Sequence, residues 1–139
     1  MDSDVQVAFL RSRERSGLLA GLVADSLAHG DRFVMPVFVL GETWRVLTEP
    51  RGYGVAPARV LAWLARWIED AGILLPGTPY WGVLAEFMGQ RLPRGAEIFD
   101  CQIAAVCVEH GVDEIWTFDA RFLRDARLRV TDPLDGALG

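Results

Sequence analysis

The stretch FDCQIAAVCVEHG, residues 99–111, carries apolar side chains on nearly every side of any helix it forms. A helix of that kind belongs in an interior, so the rest of the chain must cover it. At 139 residues the chain suits a single domain over 1–139 and can bury roughly 68–70% of its unfolded surface. Cys101 and Cys107 share this helix. Six helical residues rise about 9 Å, and a disulfide needs Cα atoms within about 7 Å, so both are expected as small buried thiols. Their spacing is not that of a zinc site.

Around this helix, short β-like runs alternate with helical stretches. From Val5 to about His29, Leu18, Leu19, Leu22, Val23 and Leu27 recur at helical spacing. RFVMP (32–36) reads as a strand, and VFVLGETWRVLTEP as a helix closed by Pro50. Residues 58–71 form an amphipathic helix with Val60, Leu64, Trp67 and Ile68 on one stripe. ILLP (73–76) is a second strand and Tyr80–Arg91 a further helix. After the apolar helix, DEIWTF reads as a strand, DARFLRDA as a short helix and LRVT as a last strand. The alternation predicts an α/β fold around a mostly parallel sheet. Sites in such sheets lie beyond the carboxyl ends of the strands.

Net charge is −5, and arginine supplies every basic residue, since the chain holds no lysine. That removes Schiff-base and P-loop lysine chemistry and argues against general nucleic-acid binding. Arginine can still fork onto phosphate. No apolar run reaches the length of a membrane span, and no secretory leader is evident, so a cytoplasmic location without membrane attachment is expected.

Most acids, among them Glu69, Asp70, Glu86, Glu109, Asp113 and Glu114, read as helix-end or wet-face residues. Four are placed differently. Asp119 follows the apolar run IWTF, and Asp100 opens the buried helix; each could also be an N-cap. Glu42 stands among Val37, Phe38, Val39, Leu40, Trp44, Val46 and Leu47, where a wet helix stripe is the plain reading. Asp2 is the fourth, and a frayed terminus is its plain reading. Gathered at one sheet edge, four carboxylates would repel one another. Mg²⁺ or Mn²⁺ relieves that repulsion through oxygen ligands.

DSDV, LGETWRVL, FDCQIAAVCVEHG and IWTFDARF, in this order and spacing, resemble the motifs of the PIN-domain family, and within it the VapC toxins of toxin–antitoxin pairs. The resemblance runs from Asp2 to about Leu134. It implies a three-layer α/β/α sandwich and an Mg²⁺- or Mn²⁺-dependent endoribonuclease. Its catalytic, metal-holding acids would be Asp2, Glu42, Asp100 and Asp119. It also implies a Thr117 hydroxyl in the last motif and Asp4 as an outer acid. Arg45, Arg51, Arg91, Arg94, Arg121 and Arg124 fall near the expected sheet edge or in loops beside it, where RNA would be gripped, Arg121 foremost; a solvated surface is the plain reading of each. The helices bearing Glu42 and Trp67 would form a groove for an antitoxin and a homodimer face, with Trp63 and Trp67 one turn apart. The family's first strand ends in the first motif acid. Only Met1 precedes Asp2 here, so a truncated first strand, or a start codon upstream of Met1, is expected. Two alternatives stand beside this reading: a PIN-like module that binds without turnover, and a haloacid-dehalogenase-type phosphatase that uses DSDV, with Asp2 as nucleophile.

Overall fold

The computed structural model describes residues 5–8, 32–117 and 121–132. Five strands form one wholly parallel sheet: β1 (Val5–Ala8), β2 (Arg32–Pro36), β3 (Ile73–Leu74), β4 (Glu114–Trp116) and β5 (Arg129–Thr131), in the order β3-β2-β1-β4-β5. The helices are α1 (Val37–Thr48), α2 (Pro57–Ala71), α3 (Tyr80–Arg91) and α4 (Glu97–Glu109). The fold is α/β, as the alternation implies. No helix among the described residues is long and apolar enough to cross a membrane.

Helix α4 takes the place its composition requires. Cys101 and the unbroken run Ile103–Cys107 are at most 2% exposed. Ala104 and Ala105, fully buried, add no side-chain bulk between α4 and its neighbours. The core gathers Met35, Val39, Leu84, Phe87, Ile115 and Phe122 against α4. Each fully buried side chain of the larger type contributes roughly 1.5–3 kcal/mol. Burial pushes the Cys107 thiol well above its usual range and raises that of Cys101 as well. Both cysteines are thiols, not a disulfide.

Three expectations change. The first described strand lies where a helix was expected: Val5–Ala8 is the central strand, paired with β2 on one side and β4 on the other. Helical spacing over 5–29 came only from leucines and a valine beyond residue 17, whereas VQVA alternates with period two and carries β-branched valines. Along the chain the strand therefore follows Asp2 instead of ending in it. Residues 9–31, the body of the expected first helix, lie outside the described residues.

DARFLRDA is not helical over its described part. Residues 121–124 are irregular, and residues 125–128 form a turn closed by a bridge between Asp125 and Leu128. Asp125 Oδ1 accepts the Arg127 N–H at 2.9 Å and its Nε–H at 2.8 Å. A short acidic side chain that bonds the backbone two residues on offers the chain a turn in place of a helix.

Glu114 is no wet-face acid. It is 6% exposed and accepts from Arg129 Nη2 at 3.0 Å, Arg129 Nε at 3.2 Å and the Thr131 hydroxyl at 2.9 Å. A buried carboxylate is tolerable when it is paired and hydrogen-bonded, and here it ties β4 to β5.

The Asp125 turn has a pH signature. The hydrogen bond from the Arg127 side chain, together with its backbone N–H and the charges of Arg127 and Arg91, holds the Asp125 carboxyl below its usual range against an opposing burial effect. An acid depressed in the folded state stabilises it above the unfolded pKa of about 3.9 and loses that contribution as pH falls through the folded value. The unfolding free-energy difference between wild type and Asp125→Asn, measured by urea titration, should be largest at neutral pH. It should shrink once pH drops below about 4.

Candidate active site

The strand order places a crevice before any side chain is considered. From β1 the chain builds β2 and β3 on one side, then crosses through α3 and α4 to β4 on the other. Such a reversal opens a gap beyond the carboxyl ends of the strands. Helix α1 begins at Val37, directly after β2 ends at Pro36, and the first turn of α4 lines the same cleft.

A cleft of about 740 Å³ lies there, lined by Glu42, Arg45, Asp100 and Arg121 together with Phe38 and Ile103. Glu42 is half-buried, between Val39 and Thr43, which turn inward at 2% exposure each, and the exposed Arg45. Its neighbour Gly41 also lines the cleft, and a Cβ added there would meet no atom within 4 Å.

Asp100 reaches the cleft because α4 starts earlier than its apolar pattern suggests. The helix begins at Glu97, with Ala96 as N-cap. Glu97 Oε1 accepts the Arg94 N–H at 2.7 Å, which fixes the turn ahead of the helix and sets its start. Asp100 is thus inside the first turn and is not the cap. The N-terminal end of the helix dipole favours a carboxylate there.

The lining is mixed in charge: Glu42, Glu97 and Asp100 against Arg45 and Arg121. The half-buried acids Glu42 and Asp100 offer oxygen donors only, the chemistry of a hard divalent cation. Among the described residues, soft or imidazole ligands are poorly placed. The Cys101 thiol is buried and held protonated. His110 lies at the far end of α4, about 15 Å along the axis from Asp100, with Nε2 2.7 Å from the Leu75 carbonyl oxygen. Among the described residues no group of three or more His, Cys, Asp or Glu side chains forms a metal set. Glu42 and Asp100 would offer two carboxylates of the kind such an ion takes.

Asp2, Asp4 and Asp119 lie outside the described residues. The chain leaves β4 at Thr117, which is buried with its N–H on the Thr131 carbonyl at 3.0 Å, and returns in the cleft wall at Arg121. Asp119 falls between the two in sequence.

The six arginines separate by position. Arg45 and Arg121 line the cleft. Arg91 donates to the Arg124 carbonyl and stands 3.9 Å from Asp125, while Arg124 Nη1 donates to the Val130 carbonyl at 3.3 Å. Those two brace the 121–130 segment, and Arg91 also borders an adjoining hollow. Arg51 and Arg94 are exposed and line neither. On α2, Trp63 and Trp67 stack with centroids 5.7 Å apart. Sequence reasoning missed Phe99 and Gly41 as lining residues. Phe99 reads as one more apolar position of the buried helix, and a lone helical glycine carries no signal of what it faces.

Comparison with known proteins adds the following. No curated protein matches the chain. Among solved structures, the chain is similar to VapC20 of Mycobacterium tuberculosis, described as a sarcin–ricin-loop-cleaving toxin. The TM-score is 0.56 at 20% identity, covering 84% of this chain and 92% of that one. The family model of the PIN domain matches residues 1–128. The chain belongs to the PIN-domain family.

Proposed function

We propose that the protein is a divalent-metal-dependent endoribonuclease, acting as the toxin of a type II toxin–antitoxin pair. One observation carries this reading. Glu42 and Asp100, far apart in sequence, line a single cleft with Arg45 and Arg121 at the switch point of a PIN domain's sheet. The haloacid-dehalogenase alternative draws no support from that family.

Glu42 and Asp100 would hold Mg²⁺ or Mn²⁺, joined by Asp119 and Asp2 from outside the described residues. When bound, such an ion lowers the pKa of its water and offsets charge on the scissile phosphate. Arg45 and Arg121 are exposed and bind phosphate oxygens through their planar forks. A cleft carboxylate accepts the proton of the attacking water. The water oxygen bonds to phosphorus, the P–O bond to the leaving ribose oxygen breaks, and that oxygen takes up the proton the carboxylate received. Asp2 precedes β1 along the chain, so its part in the set rests on the motif order.

The expected partners are an antitoxin and a second copy of the chain, the former over α1 and α2. Trp44 and Leu61 expose 37% and 60% of their surface on those helices.

Two sets of variants test the reading. Asp100→Asn, Asp119→Asn and Glu42→Gln should each lower Mg²⁺-dependent cleavage of RNA by roughly 100-fold or more, with unchanged melting profiles, and EDTA should silence the wild type. Intact cleavage by Asp100→Asn would defeat the proposed chemistry, and tight RNA binding without turnover by wild type would leave a binding module. Asp2→Asn assigns the first acid: loss equal to that of Asp100→Asn places it in the set, and full activity removes it.

Gly41 gives an independent probe. Because a Cβ there meets open space, Gly41→Ala should raise stability by up to about 1 kcal/mol, read from denaturant midpoints. Gly41→Trp should fold normally yet fill the cleft and raise KM for RNA.

A further inference from the structure

Once acids and arginines are assigned, two features of the cleft have no role. The first is Phe99. It stands directly before Asp100, lines the cleft and leaves 57% of its surface in water. The other aromatic in the lining, Phe38, is already engaged: it packs against the core and against Tyr80, with ring centroids 5.8 Å apart. Phe99 is not among the side chains packed into that core.

The second feature is an adjoining hollow of about 420 Å³, bordered by Gln90, Arg91 and Leu123. It shares Glu97, Asp100 and Arg121 with the first cleft. Asp100 and Arg121 therefore stand at the junction of two hollows, with Phe99 on the larger side and Arg91 on the smaller.

A chain of phosphates passing this junction would carry one nucleotide into each hollow. A base inside a duplex has both faces covered by its neighbours and cannot present one to a protein ring. An unpaired base can, and stacking on an aromatic side chain is worth about 1–3 kcal/mol per base. Arg45 and Arg121, in the lining of the larger hollow, would supply the backbone contacts that such grooves combine with their aromatic platforms.

We propose that Phe99 is the stacking platform for the nucleobase beside the scissile phosphate, so that the site takes unpaired RNA laid across both hollows. The proposal rests on the ribonuclease reading. Stacking tolerates any base, so Phe99 selects for strand state and register, not for base identity.

The test uses a hairpin RNA that wild type cuts in its loop, and the same target sequence closed into a duplex. Binding is measured on the Asp100→Asn background by fluorescence anisotropy, and turnover on the active protein. Phe99→Ala and Phe99→Leu should raise the single-strand Kd and KM roughly 5- to 150-fold, the range that one stacked base supports. Phe99→Trp or Phe99→Tyr should restore both, and weak duplex binding should be indifferent to all four changes. Because the ring is exposed and alanine is the better helix former, melting profiles should hold.

Wild-type affinity and KM in Phe99→Ala would overturn the proposal, as would Phe99→Leu performing like Phe99→Trp. If these occur while wild type still cleaves, the ribonuclease reading survives alone. If wild type neither binds nor cuts any RNA, both fall.

Discussion

Burial of α4 is the constraint from which the rest follows. Cys101 and the five consecutive residues from Ile103 to Cys107 are withdrawn from water, so the helix can neither rotate nor slide without exposing apolar surface. Its ends are left as the parts that meet solvent most. The first turn then falls at the carboxyl edge of the sheet, and Asp100 is carried into the cleft by packing it takes no part in. A half-exposed carboxylate held by a dry, close-packed helix has little positional freedom, which is what a site built on a rigid element requires.

The same logic explains how acids and arginines share so small a space. Glu97 spends one oxygen on the Arg94 N–H and so anchors the helix start. Arg91 and Arg124 bind carbonyl oxygens and hold the 121–130 segment against the end of α3. The Asp125–Arg127 turn completes that brace, and the Arg127 guanidinium lies over the Phe87 ring at 4.5 Å, inside cation–π range. These polar contacts sit around the cleft and hold the segment that carries Arg121.

What was legible in the sequence divides by period and by length. Helices α1 to α4 were read nearly to the residue, because proline, glycine and apolar spacing punctuate them. The parallel sheet followed from the alternation, and β2, β3, β4 and β5 were found where expected. The strand Val5–Ala8 was hidden because four residues with two valines are outweighed by a longer leucine-rich stretch behind them. Residues 121–128 looked helical by composition, yet Asp125 diverts the backbone into a turn. Glu42 and Asp100 stand out by placement, one among apolar residues and one at the head of the buried helix, but position alone also allows a wet stripe or a cap, and motif order is what joins them into a set. Glu114 was misjudged because its partners, Arg129 and Thr131, arrive from a neighbouring strand, and no local pattern announces a cross-strand pair.

The charge balance of the cleft limits what can enter it. Three acids face two arginines in the lining, so a bare phosphate meets a net repulsion that the arginines only partly offset. The dipole at the start of α4 favours anions by no more than about 1 kcal/mol at a solvent-exposed end, and Asp100 already occupies that end. A phosphate is therefore better accommodated with a cation alongside it. On the proposed ribonuclease reading, carboxylates and arginines side by side in one lining would give a metal ion and a phosphodiester each a complementary partner.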